Sequence, residues 1–281
     1  MLRRGSEDPA EPLTPESLLS AEAFDSQIVV NVDGCPSLCC TVSGDRNNTP
    51  LQSRVGCMQS SSHQIVLGSR SPRRLDLLAS IVGRDCIAVC APTDAREQGF
   101  ADCHDRDSIS HRLSDVVDAK RRTVIAQIEA SREHDLASQT SALVVADTIV
   151  VVRAGESELL VLGQPDADQW KSNVRQWMQR HLSGQVHEVW TRYAVVTATA
   201  CSSRTVTTCV EMEPLTEQMI DWYLATGESV GKAGGYAIQG HASAFIRRFD
   251  GSITNVIGLP VYELAGTMRE LGVPGIWHHD C

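Results

Sequence analysis

The chain has 281 residues, of which 42% are hydrophobic and 21% charged, a composition typical of globular proteins. Its net charge of −10 argues against a general nucleic-acid binder, because such a protein needs a basic surface. No apolar run approaches the roughly 18 residues that a membrane helix requires, so we expect no membrane partner. The cysteines are dispersed without a C-x-x-C pair, which argues against a zinc site and fits a reducing cytosol. We therefore expect a cytoplasmic protein.

The first 62 residues differ in composition from the rest. Pro9, Pro12 and Pro15 interrupt an acidic start, and the serine run Ser60–Ser62 closes the segment. Such a stretch cannot bury much apolar surface. We expect residues 1–62 to form an extension that is mostly disordered, and residues 63–281 to form one domain.

The first predicted unit is a strand, a tight turn and a helix. Ile65–Leu67 is a short apolar run, Ser71 is a good N-cap, and Pro72 is a good first helical residue. Arg73 and Arg74 then fall in the first turn, where the helix dipole disfavours each positive charge by about 0.3–1 kcal/mol. An anion bound at the free N–H groups would remove that penalty, so the turn suggests a polyphosphate site. A helix start with two solvated arginines is the alternative.

A second strand is predicted at Cys86–Cys90, followed by a helix from about Ser108 to Ala130. Lys120 interrupts the apolar stripe of that helix. Such a lysine either lays its aliphatic stem along apolar surface or directs its ammonium group into a cleft.

The strongest predicted strand is Leu143–Val152, whose continuous apolar residues indicate that both of its faces are covered. Asp147 and Thr148 lie in its middle. Because an unpaired buried carboxylate is costly, Asp147 is expected to face a cleft or to bind a cation. A hydrogen-bonded structural aspartate at a kink is the alternative.

The C-terminal half continues the alternation of strands and helices. A helix with Trp170 and Met178 on its buried face precedes a long strand through Tyr193, then a strand near Val206 and a helix ended by Gly227. The alternation predicts a three-layer α/β/α domain with a mixed sheet.

A glycine-rich loop, Gly231–Gly240, contains Lys232 and is not a Walker A loop, since Ala233 stands where that motif has Ser or Thr. It is typical of a loop that a ligand approaches closely. After it we predict a strand at Ala244–Arg247, a hairpin turn, and a returning strand at Thr254–Ile257, with a final helix after the next proline.

Five motifs in this order resemble the Maf family of nucleotide pyrophosphatases, over about Ile65 to Leu271. They are Ser69–Arg74, Ala146–Thr148, Leu182–His187, Gly231–Gly240 and Gly258–Pro260. The resemblance implies an α/β/α fold around a nucleotide-binding cleft. It also implies a divalent metal, Mg²⁺, Mn²⁺ or Co²⁺, and hydrolysis of a nucleoside triphosphate to the monophosphate and pyrophosphate.

The resemblance further implies roles for single residues. Asp147 corresponds to the catalytic aspartate, and Asp147 and Glu97 to the metal ligands. The positions that correspond to substrate-binding residues are Ser69, Arg73, Arg74, Lys120 and Lys232. The positions that resemble specificity determinants are Arg73, Thr148 and Gln239, in the pattern of the branch that acts on dTTP and UTP.

Two departures from the family pattern concern charge. Gln164 stands where many relatives have a lysine, which removes a phosphate-binding cation. Relatives also have a glutamate in the loop near residues 93–98. Either Asp94 or Glu97 takes its place here, and we favour Glu97 because Gln98 continues the match.

Three further expectations stay open at the level of sequence. The substrate could instead be 7-methyl-GTP or a broad set of nucleotides. The chain could also be a regulator of cell division that binds a nucleotide without hydrolysing it. Related proteins are often dimers, which leaves a homodimer open.

Overall fold

The computed structural model describes residues 64–93, 99–130, 140–155 and 157–277. The predicted extension, residues 1–62, lies outside these ranges, as do both candidate loop acids, Asp94 and Glu97. Within the described ranges, no helix combines the length and the apolar character needed to cross a membrane.

Strands and helices are interspersed along the chain, although some strands follow one another directly. The strands are β1 (Gln64–Gly68), β2 (Ile87–Val89), β3 (Thr140–Arg153), β4 (Leu159–Leu162), β5 (Val186–Val196), β6 (Cys201–Met212) and β7 (Ile246–Asp250). The α-helices are α1 (Pro72–Val82), α2 (Arg106–Ala130), α3 (Trp170–Trp177), α4 (Glu217–Thr226), α5 (Ile253–Ile257) and α6 (Val261–Glu270). A π-helical turn, Met178–Leu182, extends α3.

The predicted start of α1 is confirmed. Ser71 is the N-cap, and its hydroxyl oxygen accepts a hydrogen bond from the backbone N–H of Arg74 at 3.4 Å. Pro72 is the first helical residue, where its missing N–H costs nothing. The two arginines therefore lie in the first turn of α1, beside backbone N–H groups that no helix carbonyl satisfies.

The strands form one mixed sheet in the order β2-β1-β3-β5-β6-β7, with β4 paired to β3. The pairs β2–β1 and β1–β3 are parallel, and the other pairs are antiparallel. The predicted mixed sheet is confirmed.

One edge of β3 has a gap between two neighbouring strands. On that edge β1 pairs with β3 as far as Val145, and β4 pairs with it from Val150 onward. The opposite edge pairs continuously with β5 from Leu143 to Val151. In the described part of the chain, residues 146–149 of β3 therefore have a strand neighbour on one edge alone. The gap contains Asp147 and Thr148.

Helices cover both faces of the sheet, which confirms the three layers. Because side chains alternate along a strand, successive residues of β3 belong to opposite faces. Val145 and Ile149 pack on the face covered by α2. On the other face, Val144 shares a core cluster with α1 and α6, while Val150 shares a separate cluster with α3 and α4. The gap in β3 lies between the two clusters of each face.

The hairpin predicted after β7 is wrong. Thr254–Ile257 belongs to the short helix α5, and β7 pairs with β6 rather than with a returning strand. Ser252 caps the helix by accepting from the backbone N–H of Asn255 at 3.2 Å. The Asn255 amide is buried and donates to the Val189 carbonyl and to the Thr208 hydroxyl, both at 2.9 Å. Partners from two other strands thus stabilise the helical turn, and local spacing does not reveal them.

Candidate functional site

The gap in the β3 edge opens into a cleft of about 640 Å³. Its walls come from four parts of the chain. These are residues 68–74, at the turn between β1 and α1, Asp147 and Thr148 of β3, several residues of the glycine-rich loop, and residues 256–258 at the end of α5. Segments that are far apart in the sequence therefore meet where β3 lacks a strand neighbour.

Asp147 forms an ion pair with Lys120. The lysine Nζ donates to Asp147 Oδ1 at 2.6 Å, and the two side chains are 10% and 15% exposed. Lys120 interrupts the apolar stripe of α2 because that helix packs on the face of β3 to which Asp147 points. The lysine therefore directs its ammonium group into the cleft, as one of the two sequence-based alternatives states.

Thr148 points to the other face of the sheet and contacts Arg74. The guanidinium donates to Thr148 Oγ1 at 3.0 Å, to the Gly258 carbonyl at 2.8 Å and to Ser69 Oγ at 3.4 Å. Thr148 is paired across the sheet with Thr191, and their hydroxyl oxygens are 2.9 Å apart. Arg74 is thus fixed by three segments of the protein.

Arg73 differs from its neighbour. No hydrogen bond or ion pair joins its side chain to another of the described residues, although burial lowers the pKa of its guanidinium. The pKa of Lys232 is also lowered, first by burial and then by the positive charge of Arg73. Two cations therefore lie close together in a partly desolvated place, an arrangement that an anionic ligand would stabilise.

The glycine-rich loop packs directly against the sheet and α3. Gly234 has φ +66°, and a Cβ there would lie 2.7 Å from Val150 Cγ2. Gly235 has φ +70°, and a Cβ would lie 2.6 Å from Val174 Cγ2. Only glycine combines positive φ with such close approach at low cost. The loop is thereby held at the cleft, where Gln239 is exposed.

A buried dyad joins the same loop to β5. His187 Nε2 and the Tyr236 hydroxyl are 2.7 Å apart, and the rings meet edge to face. Burial lowers the pKa of His187 to about 4, so its imidazole is neutral near pH 7. Burial likewise raises the pKa of Tyr236 above its usual range. Tyr236 also lines the cleft.

The structure brings most of the predicted site residues together. Those that line the cleft are Ser69, Arg73, Arg74, Lys120, Asp147, Thr148, Lys232 and Gln239, and Gln164 is also among them. Glu97 lies outside the described residues. The roles of all these residues in binding, specificity and catalysis stay predictions.

Sequence reasoning missed three contributors to the site. Thr191 fixes Thr148, Tyr236 fixes the loop through His187, and Glu228 binds residues on both sides of the loop. Glu228 could have been singled out from the sequence, because it is an acidic residue between a helix-ending glycine and the glycine-rich loop. Nothing in the sequence near Thr191 indicates its role, since only strand pairing puts it beside Thr148.

The carboxylates at the cleft bear on metal binding. Asp147 is the one Asp or Glu among the described residues that line it, and no group of three or more His, Cys, Asp or Glu side chains in those ranges could hold an ion. Mg²⁺ commonly takes one or two carboxylates together with phosphate oxygens and water. The donor set therefore fits a hard divalent cation bound jointly with a phosphate ligand.

The fold and the cleft define an α/β/α protein with a cation-rich cleft at a break in its central sheet. A family model described as Maf-like protein matches residues 64–271. The chain belongs to this family, as its motifs suggest.

Curated relatives cover most of the chain. A protein of Anaeromyxobacter dehalogenans is 36% identical over 219 residues, which are 76% of this chain and 97% of the relative. A protein of Geobacter sulfurreducens is 39% identical over 213 residues, 74% of this chain and 97% of the relative. One from Sphingopyxis alaskensis is 37% identical over 211 residues, 75% of this chain and 97% of the relative. Each of the three is named dTTP/UTP pyrophosphatase.

Proposed function

We propose that this chain is a nucleoside triphosphate pyrophosphatase that hydrolyses dTTP and UTP to the monophosphate and pyrophosphate. The observation that carries the proposal is the gap in the β3 edge, where one acidic residue and five cationic residues line a cleft. Such a charge distribution suits a ligand with several phosphates. The names of the curated relatives support the same reaction and the same two substrates.

Within this proposal the cationic side chains of the cleft have different roles. Arg73 and Lys232, whose charges lie close together, bind the phosphate oxygens and stabilise the negative charge that grows on the leaving pyrophosphate. Arg74 shapes the same wall, because its guanidinium is held by Gly258, Ser69 and Thr148.

Asp147 is the proposed general base. It accepts a proton from the water whose oxygen attacks the α-phosphorus, while the bond between that phosphorus and the bridging oxygen breaks and pyrophosphate leaves. Lys120 fixes the carboxylate through Oδ1. A divalent cation held by Asp147, with Glu97 as the second proposed ligand, would supply positive charge against the phosphate oxygens.

The nucleobase is proposed to lie near Gln239 at the rim of the cleft. An amide presents both a donor and an acceptor, and a uracil-type edge also presents both. The exposed Gln239 side chain can therefore pair with thymine or uracil.

The test is pyrophosphate release from dTTP, UTP, CTP, GTP and 7-methyl-GTP, with Mg²⁺, Mn²⁺ or Co²⁺ and with a chelator. We expect dTTP and UTP to have the highest kcat/KM, and the chelator to abolish release. A preference for 7-methyl-GTP would overturn the proposed substrates. Tight dTTP binding without release under any metal would instead favour the nucleotide-binding regulator.

Asp147→Asn is the decisive variant, because an amide cannot accept the proton from water. We expect kcat to fall by about 10²- to 10⁴-fold while the far-UV circular dichroism spectrum stays native, with a lower unfolding temperature because Lys120 loses its charged partner. The matched control is Asp118→Asn, which removes a carboxylate of α2 that pairs with Arg121 and does not line the cleft. Wild-type turnover by Asp147→Asn would exclude Asp147 as the base.

A further inference from the structure

Glu228 follows the end of α4 and has a side chain that is 12% exposed. Its Oε1 accepts from the Tyr223 hydroxyl at 3.0 Å and from the backbone N–H of Ala242 at 3.3 Å. Its Oε2 lies 2.7 Å from the backbone N and 2.9 Å from Nδ1 of His241. One carboxylate thus gathers hydrogen bonds from groups on both sides of the glycine-rich loop.

The residues between these anchors form part of the cleft wall. Tyr223 precedes the loop and His241 follows it, whereas Lys232 and Gln239 lie between them and line the cleft. The carboxylate also packs against the end of the loop, since a Cβ on Gly240 would lie 2.0 Å from Glu228 Oε2. A single side chain therefore ties the helix before the loop to the residues that directly follow it.

Glu228 also contacts Lys232 through its main chain, because the lysine Nζ donates to the Glu228 carbonyl oxygen. Burial would raise the pKa of the carboxyl group, but the hydrogen bonds from His241, Ala242 and Tyr223 bring it below its usual value. The carboxylate is ionised near pH 7 and fully engaged by donors of the protein. Glu228 is not among the residues that line the cleft.

We propose that Glu228 is a positioning residue for nucleotide binding, which ties α4 to the residues after the glycine-rich loop and so holds Lys232 and Gln239 at the cleft. The inference rests on the proposed function for what the loop binds, and on the hydrogen bonds above for how the loop is held. Because Glu228 does not line the cleft, the proposed effect on binding is exerted through the loop.

The test replaces Glu228 by glutamine, which keeps the shape but substitutes an NH₂ group for one acceptor oxygen. We expect faster hydrogen–deuterium exchange at residues 231–242 and little change in the strands. We also expect kcat/KM for dTTP to fall by about 10- to 100-fold, mainly through KM, because a displaced loop misplaces its binding groups. A variant that merely folded less well would lose kcat and keep its KM.

Two controls distinguish an effect of Glu228 on the position of the loop from a general loss of protein stability. Glu217→Gln removes an exposed carboxylate of α4 that pairs with Arg175, and we expect it to leave KM and loop exchange unchanged. In a Lys232→Ala background, Glu228→Gln should raise KM far less than in the wild type, because the two residues act through one loop. Full additivity of the two effects on KM would overturn the inference.

Tyr223→Phe is the second variant, in case Glu228→Gln does not fold. It removes the hydroxyl that bonds to Glu228 and to the Gly235 carbonyl, and we expect the same changes at smaller size. Unchanged exchange at residues 231–242 in both variants would overturn the inference even in an active enzyme. If the wild type releases no pyrophosphate, the proposed function is wrong, while exchange still decides whether Glu228 holds the loop.

Discussion

In two pairs of adjacent residues, Asp147 with Thr148 and Arg73 with Arg74, the two side chains have different surroundings. Asp147 and Thr148 belong to opposite faces of β3, so one pairs with Lys120 and the other with Arg74. Arg74 is bound by three protein oxygens, whereas Arg73 has no such bond to a described residue and shares its surroundings with Lys232. Neighbours in the sequence thus have different partners.

This difference predicts that the two arginine variants affect different quantities, the unfolding free energy for Arg74 and KM for Arg73. Arg74→Met should lower the free energy of unfolding by about 2 kcal/mol, because buried acceptors lose a charged donor. Arg73→Met should change it by less than about 0.5 kcal/mol and should raise KM for dTTP. Urea unfolding and steady-state kinetics of both variants provide the comparison. Equal losses of stability would contradict the assignment.

At the scale of elements, the cleft depends on how the glycine-rich loop is held. Gly234 approaches β3, Gly235 approaches α3, and the backbone N–H of Gly234 donates to the Gly163 carbonyl at 3.0 Å. Two separate constraints therefore require glycine at these positions, the left-handed backbone conformation and the close contact with a neighbouring side chain. Gly231 has φ +69° as well, but a Cβ there would meet nothing within 4 Å.

The energetic costs of these two constraints can be measured separately. Gly231→Ala should cost about 1–2 kcal/mol of unfolding free energy, from the positive φ alone. Gly234→Ala should cost about 1–3 kcal/mol more, because its methyl group would also overlap Val150. Chemical denaturation of both variants measures the difference. Equal costs would mean that the loop moves away from β3 without penalty.

For the whole molecule, the buried His187 links stability to pH. Its Nε2 lies beside the Tyr236 hydroxyl, and its Nδ1 is buried without a hydrogen-bond partner among the described residues. Burial lowers the pKa from 6.5 to about 4. Between these two values the unfolded chain binds a proton that the folded chain excludes. Folded stability therefore falls as the pH drops through this window.

The expected loss from His187 is about 3 kcal/mol between pH 6.5 and pH 4, from a pKa difference of roughly 2.5 units. His187→Gln, which does not titrate, should show a shallower decline over the same range. The measurement is the unfolding free energy as a function of pH for both proteins. Parallel curves would show that His187 does not contribute to acid unfolding.

The sequence by itself determined the local structure. Ser71 and Pro72 define the start of α1, and the apolar run of β3 marks a strand covered on both faces, because these signals depend on near neighbours in the chain. Family motifs identified most of the residues that line the cleft. Local spacing failed at α5, where Asn255 obtains its partners from β5 and β6.

Only the tertiary structure decided which residues meet. The gap in β3 arises because β1 ends beside Val145 and β4, which runs antiparallel, ends beside Val150, which no local pattern states. Strand pairing joins Thr148 to Thr191, and packing joins Lys120 to Asp147 across 27 positions in the sequence. Periodicity gives the face on which a side chain lies, but contacts between distant segments depend on strand order and helix packing.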